Sequence, residues 1–365
     1  MNTTNHILLT FDVEDWFQVE NFKPYIPFSS WPRRELRVEQ NTHKLLDLLD
    51  QQSNQPPLPR SGIGSDHFHP ESDSDKNKSQ KSGKSCLTTP KATFFVLGWI
   101  AERLPGLVRE IHSRGHEVAS HGYSHELCTD SLPQDLRKDL IESKKRLEDI
   151  LAAPIYGYRA PSFSINETIL KIIEACGYLY DSSYNSFGMH GRYGHLDISR
   201  NSATGIAIPV NRKSTIENRQ FFELPISNID LLKCVLPWGG GGYFRLIPFP
   251  LFKIGVKSIL SRQHACLFYF HPWEVDPAQP RVNRASLFLK FRHYTGLQKT
   301  ASKLSSFIEA FKHCNFMTCH QYLQLKMPYL KPELLIKGMT SSGSRYRKRS
   351  HDVRPVNTDK NNRNN

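Results

Sequence analysis

The chain has 365 residues, 38% hydrophobic and 11% aromatic, enough for one large single-core domain or one domain with a small appendage. Its formal net charge of +13 would suit an anionic partner, but part of the excess sits in the C-terminal stretch SRYRKRSHDVRPVNTDKNNRNN, read as a disordered basic tail over 336–365. That tail does not interleave aromatic with basic residues, so it offers no platform for specific nucleic-acid binding.

In chain order, ILLTFD reads as a buried strand and VEQNTHKLLDLLDQ as an amphipathic helix, completing a first segment over 1–51. Residues 52–90 are rich in Ser, Pro, Lys and Asp and form an expected disordered insertion, in which His67 and His69 read as solvated rather than metal-binding. The rhythm resumes with the strand ATFFVLG, a helix or helix pair over IAERLPGLVREIHSRG, the strand HEVAS, the helix PQDLRKDLIESKKRLEDILA and the strand IYGYRA. A helix over ETILKIIEACG follows, with Ser164 and Glu167 at capping-box spacing. Such alternation implies parallel strands joined by helical crossovers. Beyond Asp181 it loosens. GIAIPV, FFELPIS, GGYFRLIP and ACLFYFHP read as strands, LFKIGVKSILSRQ as a helix, and LQKTASKLSSFIEAFKHC as a closing amphipathic helix.

Asp12, Glu14 and Asp15 in TFDVED follow an apolar strand, and buried carboxylates there are costly unless a cation sits beside them. His121 and His125 in SHGYSH follow another strand, with Gly122 favouring a loop over a helical turn. Strand ends in a parallel architecture share one face, so a carboxylate and two imidazoles can form a three-ligand site with open positions, as catalytic zinc uses. A zinc protease of the HExxH type is excluded, because Gly122 follows His121. Strand alternation puts Asp12 and Glu14 on one side and Asp15 on the other, favouring Glu14 as ligand; a strand ending earlier would favour Asp15. Arg159 and His271 follow two further strands, where each alone would also fit a structural role. Trp16, Phe163 and Trp273 flank these residues and suit either stacking on sugar faces or core packing.

TFDVED, SHGYSH, RAPSFS, YDSS and FHPWE, in this order, resemble the motifs of NodB-type polysaccharide deacetylases, carbohydrate esterase family 4, and most resemble the group associated with exopolysaccharide and exosortase gene clusters. The resemblance covers about Ile7 to Leu330 without the insertion. It implies an α/β fold, a deformed (β/α) barrel continuing over 91–275 with a C-terminal extension over 276–335 packed on it. It also implies metal-dependent removal of acetyl groups from an N-acetylated polysaccharide or oligosaccharide. By position, Asp12 matches the general base, His271 the general acid, Arg159 the arginine that orients the base, and Asp181 the group that supports the acid histidine. His121 and His125 match the metal-binding histidines. The commonest first motif has two adjacent aspartates, whereas Val13 follows Asp12 here, so Glu14 or Asp15 must supply the carboxylate ligand. The expected cofactor is a divalent metal, Zn2+ first, with Co2+, Mn2+ or Ni2+ as substitutes.

Two other readings stay open: an allantoinase-like hydrolase of small C–N bonds on the same fold, and a carbohydrate-binding relative without turnover. Seven scattered cysteines without CxxC pairs fit a reducing compartment. The absence of a signal-like N-terminus or a run of ~20 apolar residues points to the cytoplasm, with association at the inner membrane face as a variant of that expectation.

Overall fold

The computed structural model describes residues 4–52, 89–188, 191–194, 196, 206–210, 220–231 and 234–328. Met1–Lys326 form one compact unit; of a second, Met327–Asn365, only Met327 and Pro328 are described. The expected basic tail, and the insertion apart from Gln52, Thr89 and Pro90, lie outside the described residues.

The core sheet begins with β1 (His6–Val13), flanked by β2 (Ala92–Val96) and, from the far end of the chain, β10 (Ala265–Phe270), both parallel to it. Beyond β2 the order continues through β3 (Glu117–Ser120), β4 (Gly157–Tyr158), β5 (Tyr180–Asp181), β7 (Phe222–Glu223) and β6 (Ile208–Pro209). All these pairings are parallel except β6 with β7. The sheet curls into a partial barrel: on the open side Tyr269 N–H donates to the Gly239 carbonyl at 2.8 Å, and Ser227 N–H to the Leu267 carbonyl at 3.2 Å.

The period of two sorts each strand. Ile7, Leu9, Phe11 and Val13 of β1, and Cys266, Phe268 and Phe270 of β10, join the apolar core beneath the helices. Thr10 and Asp12 take the other face, with Phe95 from β2, and the same parity carries His121 beyond β3, Arg159 beyond β4 and His271 beyond β10. The barrel interior is therefore where polar groups gather, and parallel strands deliver their C-terminal ends to one rim.

The helices cover the outside. α1 (Val38–Gln51), α2 (Gly98–Arg103), α3 (Pro105–Ser113), α4 (Pro133–Leu151) and α5 (Glu167–Ala175) occupy the expected stretches, each burying one apolar stripe, such as Leu45, Leu46 and Leu49 in α1. The capping of α5 differs from expectation: Asn166 accepts from Ile169 N–H, while Ser164 Oγ accepts from Cys128 N–H and donates to the Pro161 carbonyl. GGYFRLIP is also not a strand. It forms α6 (Gly241–Leu246), because a short apolar run has no period of its own; here one helical turn buries Phe244 and sends Arg245 to the end of another helix.

After α7 (Phe249–Gln263) come α8 (Leu287–Tyr294), α9 (Leu297–Ala310), β11 (Asn315–Phe316) and α10 (Cys319–Lys326), all within the first unit, with β11 pairing against β1. β8 (Ile229–Leu231) and β9 (Cys234–Leu236) form a separate antiparallel pair. No helix among the described residues is long and apolar enough to cross a membrane. Cys128, Cys176, Cys234, Cys266, Cys314 and Cys319 are free thiols.

Candidate active site

Glu14, just past β1, places Oε1 3.2 Å from His121 Nε2 and 3.1 Å from His125 Nε2, all three side chains being buried. The two histidines come from a loop rather than a helix: Gly122 has φ +73° and His125 φ +57°. A Cβ at Gly122 would also stand 2.9 Å from Asp139 Oδ2, so the turn needs glycine on two counts.

This trio fits a metal ion. His121 Nδ1 lies 2.7 Å from the Arg159 carbonyl, which can only accept, so Nδ1 donates there and Nε2 is the nitrogen directed at Glu14. Nε2 of both histidines and Glu14 Oε1 thus converge on one point, an arrangement that can hold a cation. The electrostatics agree. Burial lowers the His125 pKa, but Glu14 and Glu20 raise it to about 10; Glu14, pushed up by burial, is drawn well below the usual carboxylate range by His125, His271 and His121. A site that holds an imidazolium this firmly favours positive charge.

Beside the trio, Asp12 Oδ1 accepts from Arg159 Nη1 at 2.7 Å. Arg159 is fully buried and over-determined: Nη1 also reaches Thr10 Oγ1, Nε the Ser182 carbonyl and Nη2 Ser182 Oγ, with the Phe95 ring 4.1 Å from the guanidinium. His271 Nε2 stands 3.9 Å from Asp12 Oδ2 and 3.7 Å from Glu14 Oε1. Its Nδ1 donates to Glu274 Oε1 at 2.9 Å, and Arg245 Nε donates to Glu274 Oε2 at 2.8 Å. Burial lowers the His271 pKa, and Glu14, Glu274 and Asp12 together raise it above the ordinary histidine value.

Three sequence expectations need correction. Asp15 does not join the cluster: Oδ1 accepts from Trp16 N–H, and Oδ2 from Arg37 and Val38 N–H at 2.7 and 2.9 Å, so it satisfies the start of α1 from outside the helix. Burial raises its pKa to about 6. Asp181 does not touch His271. Its carboxylate accepts from Ser183 N–H and Oγ, and burial and Asp181 push its neighbour Glu223 well above the carboxylate range. YDSS instead serves Arg159 through Ser182. The residue that holds His271 is Glu274, whose signal was present in FHPWE as a carboxylate three residues after His271. Trp16 is the third: its Nε1 donates to the Glu35 carbonyl and its ring packs on Phe17, away from the cleft.

Phe163 and Trp273 do line the cleft, an open space of about 900 Å³ that also includes Asp12, Glu14, His125 and His271. Trp273 is sandwiched between His271 and His293 at ring distances of 5.0 and 4.1 Å, which holds the imidazole plane. Ser162 and Phe163 both have positive φ, 50° and 59°, a strained turn at the cleft wall. Sequence reasoning missed Glu20, whose Oε2 is 3.6 Å from His125 Nδ1, and the cleft residues Arg192, Tyr193 and Tyr269.

Residues 88–180 match the family model of the polysaccharide deacetylases, and residues 182–324 match a domain of unknown function, DUF3473. The peptidoglycan-N-acetylglucosamine deacetylase of Bacillus cereus is 32% identical over 88 residues, covering 24% of this chain and 41% of that protein. Peptidoglycan-N-acetylglucosamine deacetylase PgdA of Listeria monocytogenes is 31% identical over 83 residues, covering 23% and 18%. The chain thus spans less than half the length of these curated relatives. In fold, a candidate polysaccharide deacetylase from Mycobacterium smegmatis superposes with a TM-score of 0.54 at 18% identity over 91% of this chain and 93% of that one. Puue allantoinase superposes with a TM-score of 0.51 at 12% identity, over 90% and 93%. Residues 88–180 are thus similar to the polysaccharide deacetylases, and the chain folds as a mixed α/β, partly closed barrel. TFDVED and FHPWE fall outside the matched residues 88–180, and the fold brings them to SHGYSH.

Proposed function

We propose that this protein is a metal-dependent hydrolase that removes N-acetyl groups from an amino-sugar glycan, with a role in exopolysaccharide biosynthesis. The observation that carries the reading is the meeting of three units on one cleft: Glu14 with His121 and His125, Asp12 held by Arg159, and His271 held by Glu274. The names of the Bacillus and Listeria relatives support N-acetylglucosamine as the sugar unit.

Glu14, His121 and His125 would hold a divalent cation, Zn2+ or a substitute, which supplies Lewis acidity to the acetamide carbonyl and to water when bound. Asp12 Oδ2, with Oδ1 pinned by Arg159, accepts the proton that water loses as its oxygen bonds to the carbonyl carbon. His271 Nε2 gives a proton to the nitrogen as the C–N bond breaks, so the sugar leaves as an amine and the acetyl group as acetate. Glu274 and Asp12 favour the protonated imidazole, and the Nδ1–H bond to Glu274 fixes the ring. Phe163 lines the cleft wall and would offer a ring edge to a sugar, whereas Trp273, stacked between two imidazoles, positions His271.

The test is acetate release from N-acetylglucosamine oligosaccharides after chelation and after return of Zn2+, Co2+, Mn2+ or Ni2+, with allantoin as comparator. Metal-restored acetate release is expected. Allantoin turnover without acetate release would replace this reading by the small-ureide one, and saturable glycan binding without turnover by the non-catalytic one.

A further inference from the structure

α8 presents an apolar face that nothing among the described residues covers. Leu287, Phe288 and Phe291 are 83%, 70% and 60% exposed, and their spacing of one and four places them on one side of the helix. Exposed aliphatic residues scattered singly need no explanation, but three large ones adjoining on a single two-turn helix do.

The surrounding charge indicates what such a face meets. From Pro277 to Ile308 the chain carries Arg281, Arg284, Lys290, Arg292, Lys299 and Lys303 and no aspartate or glutamate. Arg281, Arg284 and Lys299 are exposed around α8. A protein-facing patch usually carries both signs at its rim, whereas bulky apolar side chains flanked only by cations are the composition of an interfacial helix on anionic lipid. The position also matters. Arg292, in the last turn of α8, and Leu246, which is 43% exposed at the end of α6, both line the candidate active cleft. Arg245 joins these two elements rigidly, through bonds from Nη1 to the His293 and Thr295 carbonyls at 2.8 and 2.6 Å.

We infer that the Leu287–Phe288–Phe291 face of α8 docks on the surface of an anionic bilayer, holding the mouth of the cleft at that surface. The apolar side chains enter the headgroup boundary while Arg281, Arg284 and Lys290 neutralise lipid phosphates. Both contributions are needed, so docking requires anionic lipid and weakens with salt.

Flotation of the full chain with vesicles tests this, comparing phosphatidylcholine alone with three parts phosphatidylcholine to one part phosphatidylglycerol, at low and high salt. Binding is expected only with phosphatidylglycerol, and the triple variant Leu287→Ser, Phe288→Ser, Phe291→Ser should weaken it by about tenfold or more. These side chains are exposed, so the variant keeps its fold, which circular dichroism checks. In Phe288→Trp, tryptophan emission at that site should shift to the blue on mixing with the anionic vesicles. The basic tail is present in every variant, so undiminished binding of the triple variant would assign the lipid contact to the tail and overturn the inference. An absence of binding would overturn it too, as would light scattering showing a dimer that only the triple variant dissolves.

Discussion

Arg159 donates from Nη1 to Asp12 Oδ1 at 2.7 Å, leaving Oδ2 as the oxygen nearer His271. The ion pair is wholly buried, so the arginine orients Asp12 and also depends on it for charge balance.

Asp12→Asn should therefore show two effects. Acetate release should fall by about 10² to 10⁴-fold through loss of the base. Stability should fall by about 3 kcal/mol, because Arg159 is left charged and buried with only neutral hydrogen-bond partners. Acetate assays and urea titrations of the same preparation check both. A variant of wild-type stability would mean that Thr10 and Ser182 suffice for the arginine.

The proposed carboxylate ligand is separable from its neighbour. Glu14→Gln should lower bound metal as severely as His121→Ala, whereas Asp15→Asn should keep the metal and lose about 1–3 kcal/mol, since an amide cannot accept all three N–H groups that Asp15 serves. Metal content after dialysis, set beside thermal unfolding, distinguishes these outcomes; the opposite pattern would make Asp15 the ligand.

Glu274 is a positioning residue for His271. Because Glu274 is among the groups that raise the His271 pKa, Glu274→Gln should move the high-pH limb of kcat to lower pH, where the imidazole loses its proton sooner. A purely structural role would lower kcat across all pH values without moving that limb.

His116 predicts an acid-sensitive step in stability. Burial, with Lys91 and Arg114 nearby, pushes its folded pKa down to about 3, and its Nδ1 accepts from Ala92 N–H at 3.3 Å. The folded state thus binds fewer protons than the unfolded state between pH ~6.5 and ~3. The stabilisation is complete above that window and is lost as pH falls through it, with a slope of at most ~1.4 kcal/mol per pH unit for one proton. Urea midpoints of His116→Gln should show a shallower decline than those of the wild type over this window.

The sequence by itself determined the elements and their faces. The apolar spacing of VEQNTHKLLDLLDQ matches α1 residue for residue, and the period of two along LLTFD put Asp12 and Glu14 on one side, because both patterns depend on neighbours within a few positions. It also placed His121 and His125 on a loop through Gly122, a local backbone requirement. Tertiary structure decided the partners. Glu14 meets His121 across 107 positions and Arg159 meets Asp12 across 147, distances over which a sequence carries no spacing signal. For the same reason Asp15 was free to satisfy the start of α1 and Trp16 to turn into the core, whereas Glu274, three residues from His271, lay within reach of a local reading. At α6, Arg245 ties the helix to carbonyls at the end of α8, a contact between separate elements that no window of sequence contains.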